Sequence, residues 1–475
     1  MHKYYLGVDL GSTTSKAIII NEKDEIIGRG ITNTRANYEV AADIARLEAT
    51  FDARFNLLKR KLNNEIENHP EKLTYIEDLK AVFQYLQFKE RLDILNKELK
   101  KTVNTSFTDE LKEKLSAYAD EIISNIGPVI KNEYLHGHLG AKNQFFRDVI
   151  GEKYHTEVEK LDKDLFEPLM LLFDKSITPV ENEMVDYNFV DLVHESIAIL
   201  DEKYNGLGSS GDEETSVHFD VELHMLEGNY ESVSESLKDH IEQIADMEIH
   251  ISNMVGTGYG RALLPFPEDC IKSEILCHAF GAHAIFPNTR SVLDIGGQDT
   301  KAIQVDSHGL VTSFHMNDRC AAGCGRYLGY VADEFSLSLN ELGPLALDAE
   351  KEVNICSTCT VFAGAEIREL LNVGEKREDI LAGLHKSIVI RAMSLIARSG
   401  GVRNEFTFTG GVARNQAVLK YIKDMIYESY GNDITINIDT DSIFMGALGG
   451  AMFARRNLRA DLPGKRSQNK VKNVN

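Results

Sequence analysis

Two cysteine-bearing stretches have the residue types and spacing for metal or redox chemistry. One is Asn317-Asp318-Arg319-Cys320-Ala321-Ala322-Gly323-Cys324-Gly325-Arg326-Tyr327; the other is Ile355-Cys356-Ser357-Thr358-Cys359-Thr360-Val361-Phe362. A run that reads as a helix follows each, over 327–335 and over 361–371. A thiolate at a helix N-terminus lies at the positive end of the dipole, beside backbone N–H groups that have no intrahelical partner. Such a seat suits a cluster of irons and sulfides, whose net charge is negative. Four of the six cysteines fall between positions 320 and 359. That favours a metal or redox site in a reducing compartment over a disulfide framework. The same four, as CxxxC and CxxC, also fit a cluster or a zinc ion held within one chain. Cys270 and Cys277 lie in a helix-like run and read as small buried hydrophobes.

Two further stretches have the makings of phosphate sites. The segment Leu6-Gly7-Val8-Asp9-Leu10-Gly11-Ser12-Thr13-Thr14-Ser15-Lys16-Ala17-Ile18 reads as strand, tight turn, strand. The turn can offer backbone N–H groups and hydroxyls to phosphate. Asp9, closing the first strand, could hold Mg2+ through water. A plain β-hairpin fits the same residues. The pattern recurs, however. Asp294-Ile295-Gly296-Gly297-Gln298-Asp299-Thr300-Lys301-Ala302-Ile303 aligns without gaps on 9–18 and repeats the Asp, the first Gly, the Lys, the Ala and the Ile. This duplication predicts two like-folded halves facing each other across a nucleotide. Asp9, Asp294 and Gln298 are then catalytic candidates, with both aspartates near the metal. Gly11, Ser12, Thr13, Thr14, Lys16, Gly296, Gly297 and Lys301 become candidate nucleotide contacts.

Other elements must position these groups. Residues 249–261 read as a strand and a Gly-rich turn, followed by a helix-like run through Glu274 and His278. The spacing over 380–399 predicts a long buried helix. Phe406-Thr407-Phe408-Thr409-Gly410-Gly411-Val412-Ala413-Arg414-Asn415 predicts a strand, a double-Gly turn and a helix, where a base or ribose can approach the backbone. Gly410, Gly411 and Asn415 are the candidates there. The small residues of 441–451 permit close helix packing. Between the two hairpins, 42–240 is charged and helical in period, with Phe51, Phe55, Leu58, Leu62 and Ile66 on one stripe. His69-Pro70, Gly127-Pro128 and Thr178-Pro179 are expected to punctuate it, and 205–214 to form a flexible loop. His136 and His138 read as a solvated turn. The expected division is 1–41 and 241–290 as the first lobe, 42–240 as a helical insertion, 291–454 as the second lobe, and 455–475 as a basic disordered tail.

Composition limits the remaining possibilities. At 475 residues the chain is too long for one compact core. A formal net charge of −22 argues against a nucleic-acid groove or an anionic membrane surface. No apolar run of membrane-spanning length stands out, and the first residues lead straight into a strand, so a cytoplasmic protein is expected.

With both hairpins, the Thr-Gly-Gly turn and the Gly-Ala-Leu-Gly-Gly segment in order, the chain resembles the superfamily of sugar and acetate kinases, heat-shock chaperone ATPases and actin. The resemblance implies an α/β fold, a duplicated two-lobed ATPase, here with a large all-helical insertion. Within it, the Asn-Asp-Arg-Cys-Ala-Ala-Gly and Ser-Thr-Cys-Thr-Val-Phe-Ala stretches resemble the iron–sulfur ATPases. These are the activators of 2-hydroxyacyl-CoA dehydratases and the ATPase subunits of benzoyl-CoA reductase. The resemblance covers about 1–37 and 249–454. It implies ATP, Mg2+ and a [4Fe–4S] cluster as cofactors, the cluster held by Cys320 and Cys359 and shared with a second ATPase subunit. Cys324 and Cys356 stand where compact activators carry hydroxyl residues. The insertion and the stretch 30–38 are more similar to the large subunit of benzoyl-CoA reductase. That implies a smaller paralogous subunit, two reductase subunits carrying the substrate site, and ferredoxin as the donor. A dehydratase activator is the alternative, followed by a small-molecule kinase and a chaperone-like conformational ATPase.

Overall fold

The computed structural model describes residues 2–34, 37–135, 145–161, 163–207, 230–258, 264–317, 324–335, 337–351, 353–355 and 360–460. They divide into two compact units, one of 1–34, 41–50 and 250–475, the other of 35–40 and 51–249.

The first unit is built on two sheets of matching topology. Strands β1 (Tyr4–Leu10), β2 (Thr14–Ile20), β3 (Ile26–Asn33) and β4 (Ile251–Gly258) form one sheet in the order β3-β2-β1-β4. Strands β5 (Ser291–Ile295), β6 (Thr300–Val305), β7 (Val311–Asn317), β8 (Phe406–Thr409) and β9 (Ile436–Asn437) form the other, in the order β7-β6-β5-β8-β9. In each, an antiparallel meander meets a parallel strand at its first member: β1 beside β4, β5 beside β8. β1 and β5 are buried along their whole length, Asp9 and Asp294 included. The duplication extends to register, with Asp9 opposite Lys16 and Asp294 opposite Lys301. It extends to glycine as well. β4 ends on Gly258 at φ 133°, where a Cβ would lie 2.2 Å from the Leu10 carbonyl oxygen. β8 runs into Gly410 at φ 89°, where a Cβ would lie 2.3 Å from that of Ile295. Only glycine tolerates both the conformation and the approach.

The described residues between β3 and β4 that lie in regular elements are helical: α1 (Tyr38–Lys61), α2 (Asn63–Asn68), α3 (Glu71–Ser106), α4 (Asp109–Leu135), α5 (Phe146–Glu159), α6 (Lys163–Asn182), α7 (Phe189–Leu207) and α8 (Tyr230–Ala245). Asn37 caps α1, its side chain accepting from the amides of Glu39 and Val40. Residues 41–50 of α1 belong to the first unit, because Gly30 lets the helix backbone approach β3. Phe51, Phe55, Phe83 and Phe189 then form an aromatic cluster with ring centroids 5.1–5.7 Å apart. Only one of the three expected breaks is a boundary. His69-Pro70 separates α2 from α3, whereas Pro128 and Pro179 lie inside α4 and α6. Packing of Ile126 and Ile130 holds α4 together across its proline.

The rest of the first unit consists of α9 (Glu274–Ile285), α10 (Gly325–Phe335), α11 (Leu339–Leu347), α12 (Thr360–Asn372), α13 (Arg377–Ser399), α14 (Gln416–Tyr430) and α15 (Met445–Ala460). α13 corrects the expectation drawn from hydropathy. At mean hydropathy 1.5 it is long and apolar enough to cross a membrane, but 67% of its most apolar window is buried in the core of the second sheet's lobe. α15 also departs from expectation. It continues through Arg455 to Ala460, and it packs on β1 and α9 rather than staying with the second sheet. Methyl groups at Gly7 and Gly449 would lie 1.9 Å from the carbonyl oxygens of Ala447 and Cys277. Arg455 pairs with Asp24, and Arg456 lies over the Phe280 ring, which is why the basic residues extend the helix. Cys277 is buried as expected and its thiol is pushed up to about 12 by burial; Cys270 is half-buried in a turn before α9.

Candidate functional site

Asp9 and Asp294 are next to last in equivalent strands, and each is 1% exposed. Lys16 Nζ stands 3.5 Å from Asp9 Oδ2. Asp9 Oδ1 is buried and accepts no hydrogen bond. A buried carboxylate oxygen without a donor is costly, so its position fits a hydrated cation that supplies one. The opposite aspartate is fully engaged. Thr409 Oγ1 donates to Asp294 Oδ1 at 2.9 Å, and Lys301 Nζ lies 3.4 Å from Oδ2. Lys301 also donates to Asp299 at 2.7 Å and lies 2.9 Å from Glu274 Oε1. Its candidate role as a phosphate contact therefore does not match its surroundings. It is 1% exposed and enclosed by three carboxylates.

His278 on α9 lies between the two aspartates. Its Nδ1 is 3.1 Å from Asp294 Oδ1, without the alignment of a hydrogen bond. Its Nε2 is 3.8 Å from Asp9 Oδ2 and 3.9 Å from Glu274 Oε1. Burial alone would raise the Asp294 carboxyl; His278 and Lys301 more than offset that and hold it well below the usual carboxylate range. Burial alone would lower His278, but the Asp294 carboxylate beside it leaves it raised. Asp9, Glu274 and His278 bring one ligand atom each within 4.8 Å of one another, so this face could hold a divalent ion.

The two turns are built alike. The Gly11 amide donates to the Thr14 carbonyl at 3.1 Å, and the Gly296 amide to the Asp299 carbonyl at 2.9 Å. Those two N–H groups close their own turns, which leaves Ser12, Thr13, Gly297 and Gln298 at the tips. The tips meet: a Cβ on Gly297 would lie 2.3 Å from Thr13 Oγ1. Thr14 begins β2, and Gln298 is half-buried in its turn. Gly410 packs on Ile295, and Gly411 has open space beside it up to Ile443 at 3.7 Å. Asn415 has another partner set than expected. Its Oδ1 accepts from the Val418 amide as the cap of α14, and its Nδ2 lies 3.0 Å from Nε2 of buried His385. Its side chain thus caps α14 and ties that cap to α13.

Of the other candidates, Cys320 and Cys359 lie outside the described residues, as do Cys356, His136 and His138. Cys324 is described; it is fully buried directly before α10. Sequence reasoning did not select Glu274, His278, Asp299, Thr409 or His385. A signal existed for the first two, an acid and a histidine four residues apart on an otherwise apolar helix.

The fold matches the crystal structure of the (R)-2-hydroxyglutaryl-CoA dehydratase component A of Acidaminococcus fermentans, at 22% identity and a TM-score of 0.50 over 96% of this chain and 99% of that one. The chain is 40% identical over 226 residues to a 2-hydroxyisocaproyl-CoA dehydratase activator of Clostridioides difficile, covering 47% of this chain and 79% of that protein. It is 31% identical over 176 residues to a subunit of the benzoyl-CoA reductase of Thauera aromatica, covering 37% and 62% respectively. The family model of the BadF/BadG/BcrA/BcrD ATPases matches residues 6–454, and this chain belongs to that ATPase family.

Proposed function

We propose that the chain hydrolyses ATP between its two hairpins and uses the cycle to drive low-potential electrons into a partner enzyme that acts on a CoA thioester. The observation that carries the ATPase half is the pair of buried aspartates, one from each repeat, bridged by His278. The tips of both turns face the phosphates, and the double-Gly turn faces the adenosine. Mg2+, when bound, supplies charge neutralisation at the phosphates. Asp9 Oδ1 would hold its water shell, with the Asp294 carboxylate, partnered by Thr409 and Lys301, adding a second negative charge nearby. Glu274 and His278 fix the charge around Asp9, and Lys301 balances the carboxylates from behind. This arrangement suits hydrolysis, which needs positioning and charge more than covalent chemistry.

The redox half rests on the sequence. Cys320 and Cys359 would ligate a [4Fe–4S] cluster shared with a second ATPase subunit, and such a cluster would supply one-electron transfer from a cytoplasmic donor of the ferredoxin class. The higher identity to a dehydratase activator favours a dehydratase as the electron acceptor. The inserted helical unit favours the benzoyl-CoA reductase reading, with a smaller paralogue and two reductase subunits as partners. Ring reduction in extracts that lack any hydroxyacyl-CoA dehydration would decide for the second.

Asp9→Asn tests the ATPase half. The change is isosteric but leaves Lys16, 3.5 Å from Asp9 Oδ2, less compensated, so its Tm is measured alongside. ATP turnover should fall about a hundredfold or more. Turnover at the parent rate would refute the two-hairpin site. Asp294→Asn should be as inactive, but it leaves Lys301 and His278 less compensated, so its Tm must be measured alongside.

A further inference from the structure

We propose that Asp9, Glu274 and His278 form a metal site that is complete without nucleotide and takes a first-row transition ion in preference to Mg2+. The site goes beyond the ATPase reading, because each of the three donors belongs to this chain. His278 Nε2 stands 3.8 Å from Asp9 Oδ2 and 3.9 Å from Glu274 Oε1, and one ligand atom of each residue lies within 4.8 Å of the others. Donors bonded at about 2.0–2.2 Å stand roughly 3–4 Å apart around one ion. Both separations from the ring nitrogen fall in that range. Glu274 and His278 lie one turn apart on α9, so the helix presents them on one face. Gly446 keeps the corner beside them open. A Cβ there would lie 2.7 Å from His278 Nε2 and 2.8 Å from Asp9 Oδ2.

Charge points the same way. Among the described residues, four carboxylates meet here, those of Asp9, Glu274, Asp294 and Asp299, against two ammonium groups, those of Lys16 and Lys301. With a neutral imidazole, four against two leaves two negative charges in excess. Asp9 and Asp294 are buried, where uncompensated charge is costly. Mg2+ arrives with the charges of ATP and does not remove that excess, whereas a resident divalent ion does. Such an ion takes the place of a proton on Nε2, and Asp9 Oδ1, buried and without a donor, remains for the hydrated Mg2+. The other ring nitrogen is also supported. Asp294 Oδ1 lies 3.1 Å from His278 Nδ1, and Thr409 and Lys301 hold that carboxylate at 2.9 and 3.4 Å. A carboxylate behind the second nitrogen is the common partner of a metal-bound imidazole, whose orientation and basicity it sets. One imidazole and two carboxylates suit Mn2+, Fe2+, Co2+ or Zn2+, whereas Mg2+ prefers oxygen ligands and keeps its water.

Mn2+ is the probe, because thiolates favour softer ions and the cysteines compete little for it. The nucleotide-free full chain is titrated with MnCl2 alone. Loss of the free Mn2+ EPR signal counts the bound ion, and pulsed EPR reads its coupling to imidazole nitrogen. Wild type should bind about one Mn2+ per chain, show that coupling, and retain the ion against about a hundredfold excess of Mg2+. His278→Gln, with its Tm measured alongside, should bind Mn2+ at least about tenfold more weakly and lose the nitrogen coupling. Wild type that binds no Mn2+ in the absence of nucleotide overturns the proposal. So does bound Mn2+ without nitrogen coupling, or its displacement by that excess of Mg2+. These results decide the matter even where His278→Gln does not fold, and coupling that persists in a folded His278→Gln overturns it as well. Binding of a non-hydrolysable ATP analogue is measured separately on the same protein. Its failure would refute the nucleotide reading and leave the metal site standing.

Discussion

At the residue scale, the contrast between the two aspartates is informative. Asp294 has its partners within the protein, whereas Asp9 keeps an unpartnered oxygen. Hydrolysis should therefore be far more sensitive to the ion supplied with ATP than stability is. A second buried group can be tested through pH. His385 donates from Nδ1 to the Leu381 carbonyl at 2.7 Å and accepts from Asn415 at Nε2, which only the neutral ring can do. Burial pushes it down to about 4, and the bond to Leu381 only partly offsets that. The unfolded chain takes up this proton near pH 6.5, and the folded one not until about 4. The contribution is thus complete above pH 6.5 and is lost as pH falls through about 4. It amounts to roughly 3 kcal/mol across that window. His385→Asn should remove this component, so that urea unfolding of the variant and wild type converges as pH falls from 6.5 to 4. Parallel curves would mean that His385 is not held neutral.

At the element scale, the hairpins were legible because they occur twice. An Asp and a Lys seven residues apart around a small-residue turn fix both the strand pairing and the direction of the turn. The Glu274 and His278 pair of α9 was visible in the sequence, but its place beside the aspartates was not. His278 reaches the site because the chain crosses from β4 through α9 to β5, and nothing adjacent in sequence to His278 records that path. The proline in α4 misled for a related reason, since the packing that sustains the helix comes from distant residues. The glycines of α15 were read correctly as contacts for close packing, although their partners are β1 and α9. Gly449→Val should force α15 off α9, destabilising the protein by roughly 3 kcal/mol and lowering Tm by roughly 5–10 °C by calorimetry. An unchanged Tm would contradict the 1.9 Å approach of a Cβ to Cys277.

At the scale of the whole molecule, the residues proposed to contact the nucleotide all lie in the first unit, and none comes from 51–249. Replacing 51–249 by a flexible linker, with 41–50 retained to cover β3, should leave nucleotide affinity within about threefold by calorimetric titration, a change of under 1 kcal/mol. Abolished binding in a folded variant would tie the helical unit to the nucleotide site. The proposed coupling of ATP hydrolysis to electron transfer assigns a cluster to Cys320 and Cys359, and iron content tests that assignment most directly. Protein purified without oxygen should carry about four irons per pair of ATPase subunits, as a shared four-cysteine cluster requires. Cys320→Ser or Cys359→Ser should lose that iron and weaken the pairing, while Cys324→Ala and Cys356→Ala keep it. Iron-free protein, or four irons in a lone chain that disappear when any of the four cysteines is changed, would contradict a cluster shared between subunits.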